Sequence, residues 1–165
     1  MERAQRLGQQ LARQQWVAAT AESCTGGGIA SAITDIAGSS AWFDRAFITY
    51  SNEAKQDMLG VAAQTLNDHG AVSEAVVYEM ARGALTHSLA HISVAVSGIA
   101  GPGGGSDAKP VGTVWLAWAD HTGWADAQCF HFDGDRVAVR QQAVDAALDG
   151  LLARLVSLEK READQ

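Results

Sequence analysis

The sequence has little of what would staple a chain, anchor it in a membrane or draw it to a phosphate polymer. Its 165 residues include only two cysteines, Cys24 and Cys129. One bridge at most could form, which excludes a secreted disulfide scaffold and leaves a reduced, cytoplasmic protein as the expectation. No apolar run approaches the roughly 20 residues a membrane helix needs. The N-terminus, MERAQRLGQQLARQQW, lacks the apolar stretch of a signal peptide. Lys and Arg number 12 against 19 Asp and Glu, a formal charge of −7. A nucleic-acid partner would meet net repulsion and is not expected. A mononucleotide is compatible, because one phosphate needs only a nest of N–H groups and a cation or two. The five histidines are scattered, and neither cysteine belongs to a CxxC pair. No metal site and no cofactor are expected.

What is present is an ordinary globular balance, 47% apolar and 19% charged, enough for one domain over 1–165. Helical and strand patterns alternate, with glycine at the joints. Ala4, Leu7 and Leu11 form one stripe of a helix over 2–15. Residues 17–22 read as a buried strand, followed by a glycine turn and a helix carrying Ile29, Ile33 and Ile36. A strand is expected at 47–51 and a short helix after it with Glu53, Lys55 and Met58. Another short helix begins near Ala62 and stops at Gly70. Ser73 is placed to cap a helix whose stripe is Val76, Val77, Met80, Ala84, Leu85 and Ser88.

A third strand covers 92–97 and runs into a loop at 98–111 holding five glycines and both prolines. Residues 113–119 and 125–132 suit an antiparallel hairpin. Asp135 is placed to cap a last helix with Val137, Val144, Leu148, Leu151, Leu155 and Leu158 on one face, and the charged tail from about 159 is expected to fray. The expected fold is α/β, a three-layer α/β/α sandwich with a mixed, mostly parallel sheet. In such sheets ligands gather at the carboxyl ends of strands, where the loops at 23–28, 51–55 and 98–106 would converge.

Three constellations can carry chemistry. In Ala21-Glu22-Ser23-Cys24-Thr25-Gly26-Gly27-Gly28 a hydroxyl sits on a sharp strand-to-helix turn, ahead of helix N–H groups that lack internal partners. The same residues also suit plain capping. In Thr49-Tyr50-Ser51-Asn52-Glu53-Ala54-Lys55 the lysine can act as a base only if burial or nearby positive charge lowers its pKa; otherwise it is a solvated surface group. The loop from Ser97 to Lys109 lets backbone N–H groups converge on an anion, or serves as a mobile connection. Ser106 and Lys109 have Ser-x-x-Lys spacing, but within a glycine loop rather than at a helix start, and the match is read as coincidence. Arg136 and Arg140 share a face in the first turns of the last helix. Cation there opposes the helix dipole, which suits an anionic ligand or pairing with nearby carboxylates.

Together these segments resemble the CinA C-terminal domain family. The likeness is carried by AESCTGG at 21–27, TDIAGSSAWFDRAFITYSNEAK at 34–55, GAVSE at 70–74 and SGIAGPGGGSDAKPVGTVW at 97–115, and weakly by FDGDRVAVR at 132–140. Larger members carry an additional N-terminal domain, so this chain looks like the stand-alone form. The resemblance implies a Ser/Lys amidohydrolase that converts nicotinamide mononucleotide and water to nicotinate mononucleotide and ammonia. Its motifs place the nucleophile at Ser23 and the base at Lys55, and imply a homodimer. In a mechanism built on that pair, Tyr50 is a candidate to orient the amine or the amide, and Thr25, Gly26, Gly27 and Asn52 to surround the oxyanion and substrate. Ser97, Gly98, Gly101, Gly103, Ser106, Lys109 and Arg140 are the phosphate candidates. Two rivals are a hydrolase using Cys24 and a non-catalytic nucleotide-binding or regulatory module.

Overall fold

Glycine turns punctuate the alternation of elements in a computed structural model that describes residues 2–165. In chain order the elements are α1 (Arg3–Gln14), β1 (Ala18–Glu22), α2 (Gly28–Thr34), β2 (Phe43–Ile48), α3 (Asn52–Leu59), α4 (Ala63–His69), α5 (Glu74–Thr86), β3 (Ile92–Gly98), β4 (Thr113–Asp120), β5 (Ala125–His131) and α6 (Arg136–Ala163). The sheet order is β2-β1-β3-β4-β5. Pairing is parallel from β2 to β3 and antiparallel at β3–β4 and β4–β5. Consequently β4 alone opposes the other strands, which is the mixed, mostly parallel sheet expected. No helix among the described residues is long and apolar enough to cross a membrane.

Two cores, one on each face, follow from strand alternation. Ile92, Val94, Val96, Val114, Leu116 and Trp118 face α1, α2 and α6. Ala21, Ala95, Ala117 and Ala119 face α5, with Leu59 of α3 and Leu66 of α4 in the same cluster. The second face is lined by small residues, so α5 lies close on it, and Ser93 Oγ donates to the Ala81 carbonyl at 2.7 Å. Gly83 of α5 admits α3 in turn, since a Cβ there would collide with the Leu59 carbonyl. This close seating brings α3, and Lys55 with it, against the sheet.

The anticipated caps form: Ser73 accepts from Val76 N and Asp135 from Ala138 N. Several boundaries differ from expectation. The strand placed at 47–51 spans Phe43–Ile48, because Ser51 instead caps α3 by accepting from Ala54 N at 3.0 Å. Helix α5 stops at Thr86, leaving Ser88 outside. Val137 is 72% exposed, and Val139 takes its place in the core, because the stripe starts only where α6 meets the sheet. The charged stretch from 159 is helical to Ala163, and Arg13 of α1 pairs with Glu159 at 3.1 Å.

Candidate active site

Strand register brings the first two constellations together. Glu22 ends β1, and its carbonyl accepts the Thr49 N–H at 2.8 Å, so the chain leaving β2 runs beside the chain leaving β1. Ser23 N donates to Val96 O at 3.1 Å. Glu22 faces α2, so by alternation Ser23 faces the layer that holds α3. There Lys55 Nζ lies 3.0 Å from Ser23 Oγ. The amine also donates to the carbonyls of Thr49 at 2.9 Å and Tyr50 at 3.3 Å. Lys55 is 1% exposed and Ser23 8%.

The electrostatics of the amine follow from what surrounds it. Among the described residues no carboxylate pairs with Lys55; its three neighbours are neutral oxygens. Burial pushes its pKa below the ordinary lysine value. A neutral amine has two N–H donors and one lone pair. Two carbonyls take the donors, which leaves the lone pair for the Ser23 hydroxyl. When the amine holds a third proton it donates to Ser23 Oγ, and the Ser23 hydroxyl can turn toward Tyr50 O, 3.4 Å away. Both protonation states are therefore satisfied without moving an atom of the framework.

The turn after Ser23 is held from two sides. The Glu22 carboxylate is fully buried and accepts from Thr20 Oγ1 at 3.1 Å, Thr25 Oγ1 at 2.6 Å, and Ile29 N and Ala30 N at 2.9 Å. It is the cap of α2, whose own N-cap residue Gly27 has no side chain to offer. From the other side Arg140 donates to Cys24 O at 3.0 Å and Thr25 O at 3.1 Å. Gly26 and Gly27 have φ of +58° and +99°, values that L side chains resist. Cys24, half of the rival reading, is buried, and burial pushes its thiol up to about 11.

Ser23, Cys24, Tyr50, Gly98, Gly101, Gly103 and Arg136 line a cleft of about 270 Å³. That volume is close to the lower end of ligand sites, about 300–1,000 Å³. Arg136 Nη1 donates to Gly101 O at 2.8 Å, and its Nη2 lies 3.4 Å from the Tyr50 hydroxyl. The arginine thus joins the glycine loop to the tyrosine across the cleft.

Not every expected residue converges here. The Thr25 hydroxyl is spent on Glu22, and Gly26 N donates to Ser23 O at 3.1 Å. Asn52 opens α3 on the surface, where its carbonyl accepts from Gln56 Nε2 at 3.3 Å. Ser97 is buried on β3, one residue past the Glu22–Val96 pair that ends the β1–β3 register. Ser106 and Lys109 close a tight turn on each other, and Lys109 Nζ reaches the His69 carbonyl at 2.8 Å, away from the cleft. Sequence reasoning missed Glu22, whose signal was a carboxylate ending an otherwise small-residue strand. It weighed Arg136 beside Arg140 and carried forward only the latter. Among the described residues no group of three or more metal-ligating side chains comes together.

Comparison with known proteins gives the family and the fold. Residues 1–155 match the family model described as the CinA C-terminal domain. A protein of Escherichia coli strain K12 bearing the name nicotinamide-nucleotide amidohydrolase PncC is 56% identical over 151 residues, 92% of each chain. One of that name from Pseudomonas putida is 58% identical over 149 residues, covering 90% of this chain and 92% of its own. The crystal structure of competence/damage inducible protein CihA from Agrobacterium tumefaciens has a TM-score of 0.89 at 49% identity, with 92% of each chain covered.

Proposed function

We propose that this chain, which belongs to the CinA C-terminal domain family, hydrolyses the carboxamide of nicotinamide mononucleotide to nicotinate mononucleotide and ammonia. The observation that carries the proposal is the buried Lys55 amine, 3.0 Å from Ser23 Oγ and without a counter-charge. Relatives at 56% and 58% identity that carry the amidohydrolase name support the substrate. The family's pattern adds a homodimer, and the low cysteine content a cytoplasmic location, to the same proposal.

In this mechanism neutral Lys55 removes the Ser23 proton as Oγ attacks the carboxamide carbon. The C=O bond opens to an oxyanion, for which backbone N–H groups of the turn are available; a single donor of this kind is worth about 3–4 kcal/mol elsewhere. Protonated Lys55 then hands its proton to the nitrogen, the C–N bond breaks, and ammonia leaves a nicotinoyl ester on Ser23. Water, deprotonated by Lys55, cleaves that ester and returns the proton to Ser23. The pyridinium ring draws electrons from the amide and makes the carbon easier to attack. Arg136 and the N–H groups of the glycine loop are nearest for the phosphate end. A Cys24 nucleophile is disfavoured, because a thiol that titrates at about 11 stays protonated at neutral pH.

The test is ammonia release from nicotinamide mononucleotide. Ser23→Ala and Lys55→Ala are each expected to lower kcat by about 10⁴-fold or more while the melting transition persists. Near-parental turnover by either variant rejects the pair. No ammonia from the unaltered protein, with the nucleotide still bound, favours a binding module instead.

A further inference from the structure

We propose that Arg140 is a positioning residue for the oxyanion site, acting through the backbone of the nucleophile turn rather than on the substrate. The inference rests on the Ser23 reading above. Its starting point is where the guanidinium lies. Arg140 projects from α6, on the far side of the turn from α3, and is not among the residues that line the cleft. Both of its recorded hydrogen bonds end on main-chain oxygens, Cys24 O at 3.0 Å and Thr25 O at 3.1 Å.

A trans peptide is planar, with its C=O and N–H pointing in opposite directions. Holding the Cys24 carbonyl from behind therefore turns the N–H of the same peptide, that of Thr25, away from Arg140. The next peptide is fixed likewise by the Thr25 carbonyl, but its N–H, on Gly26, is already taken by Ser23 O. Among the described residues no acceptor is recorded for the N–H groups of Cys24 and Thr25. Both follow the nucleophile directly in the chain and are free to donate, as is the N–H of Gly27 further along the turn.

The helix that follows offers no competing donors. Its first N–H groups with an outward aim, on Ile29 and Ala30, end on the buried Glu22 carboxylate. Glu22 also holds the Thr25 hydroxyl, so the side chain of Thr25 anchors the residue while Arg140 sets the plane of its peptide. A charged donor on the carbonyl further polarises that amide and strengthens its N–H as a donor. Anionic substrate groups are left to the residues that do face the cleft, Arg136 foremost.

The proposal separates from a phosphate contact by a kcat-against-KM split. Arg140→Ala is expected to lower kcat for nicotinamide mononucleotide about 100-fold, the effect of losing one oxyanion donor. KM, and the Kd of the product nicotinate mononucleotide, stay within about twofold. Arg140→Lys, whose ammonium can reach one of the two carbonyls, recovers about tenfold of the loss and serves if the alanine variant does not fold. A Kd weakened tenfold with kcat retained makes Arg140 an anion contact and overturns the proposal, as does unchanged kcat. An amide probe is independent of turnover. The Thr25 ¹⁵N–¹H resonance should shift and broaden in either variant, and a Thr25 amide that does not move overturns the proposal. Failure of the function itself appears as no ammonia from the unaltered protein, whatever Arg140 does to that resonance.

Discussion

Among the described residues two cations are buried, Lys55 at 1% exposure and Arg154 at 6%, and they are kept in opposite ways. Arg154 lies at the end of the sheet away from Ser23. It donates to Asp120 Oδ2 at 2.8 Å, and its guanidinium carbon stands 4.4 Å above the Trp124 ring. Asp120 in turn accepts from the Thr122 N–H at 2.9 Å and from the Thr122 hydroxyl. The guanidinium is thus met by a carboxylate and an aromatic face. Lys55 meets only neutral oxygens, so the same desolvation is relieved by giving up a proton. A charge held by a counter-charge is architecture. One left without a counter-charge beside a hydroxyl is suited to act as a base.

The largest effect that separates the two belongs to the paired site. Asp120→Ala leaves Arg154 buried without its carboxylate, and is expected to cost about 3–5 kcal/mol, or about 10 °C or more in Tm. Its kcat per folded molecule stays within about twofold, because the lesion is at the opposite end of the sheet. Thermal melting with an active-site titration checks both numbers. A stable but inactive Asp120→Ala would mean that the two ends are coupled and the contrast is false.

Lys55→Met sharpens the other side. On the proposed mechanism it abolishes ammonia release, and it replaces a desolvated amine by an apolar chain of similar length. The sign of the pH dependence follows from linkage. The folded-state pKa lies below the unfolded one, so between the two values the unfolded chain binds more protons, and stability of the unaltered protein rises with pH. Below the folded-state value the full penalty applies, and above about 10.4 it vanishes. Lys55→Met therefore exceeds its parent in stability at neutral pH, and the gap closes toward pH 10. Denaturant melts across that range check it. A gap that widens with pH would mean a raised amine pKa and an ion pair rather than a base.

How far the sequence discloses these arrangements depends on what kind of contact makes them. Periodic contacts read well. The Leu7–Leu11 stripe, the Ser73 and Asp135 caps and the β4–β5 hairpin are all local patterns, and all are present. The Ser23–Lys55 pair became visible through motif resemblance, since nothing in their spacing of 32 residues brings them together. The carbonyls of Thr49 and Tyr50 that hold the amine have no side-chain signature at all. Glu22 acts on residues seven and eight further on, a reach that requires a strand, a turn and a helix to be in place first. Long cations were the least legible. Lys109 and Arg140 carry the right charge for a phosphate, but one ends on the His69 carbonyl and the other behind the nucleophile turn. Edge strand β2 begins earlier than expected because its half-buried Asp44 and exposed Arg45 resemble loop residues. In the fold they pair with each other at 2.7 Å.

The smallest expected effect is at Cys24, and it bears on the contrast through the thiol's own burial. Cys24 adjoins Ser23, lines the same cleft and is 7% exposed. Desolvation raises an acid that ionises to an anion and lowers a cation that ionises to a neutral amine. One environment therefore pushes Cys24 up to about 11 while it pushes Lys55 down. At neutral pH the thiol is the wrong form for attack and the amine moves toward the right one. Cys24→Ala should accordingly keep kcat/KM within about threefold of the parent, as expected for a change that removes a small packed group and no charge. Alkylation by iodoacetamide at pH 7 should be slower than at a free thiol with a pKa of about 8.5. Rapid modification with matching loss of ammonia release would instead show a thiolate in the cleft. The amine of Lys55 would then have to be its counter-ion, protonated and paired like Arg154, and the difference between the two buried cations would disappear.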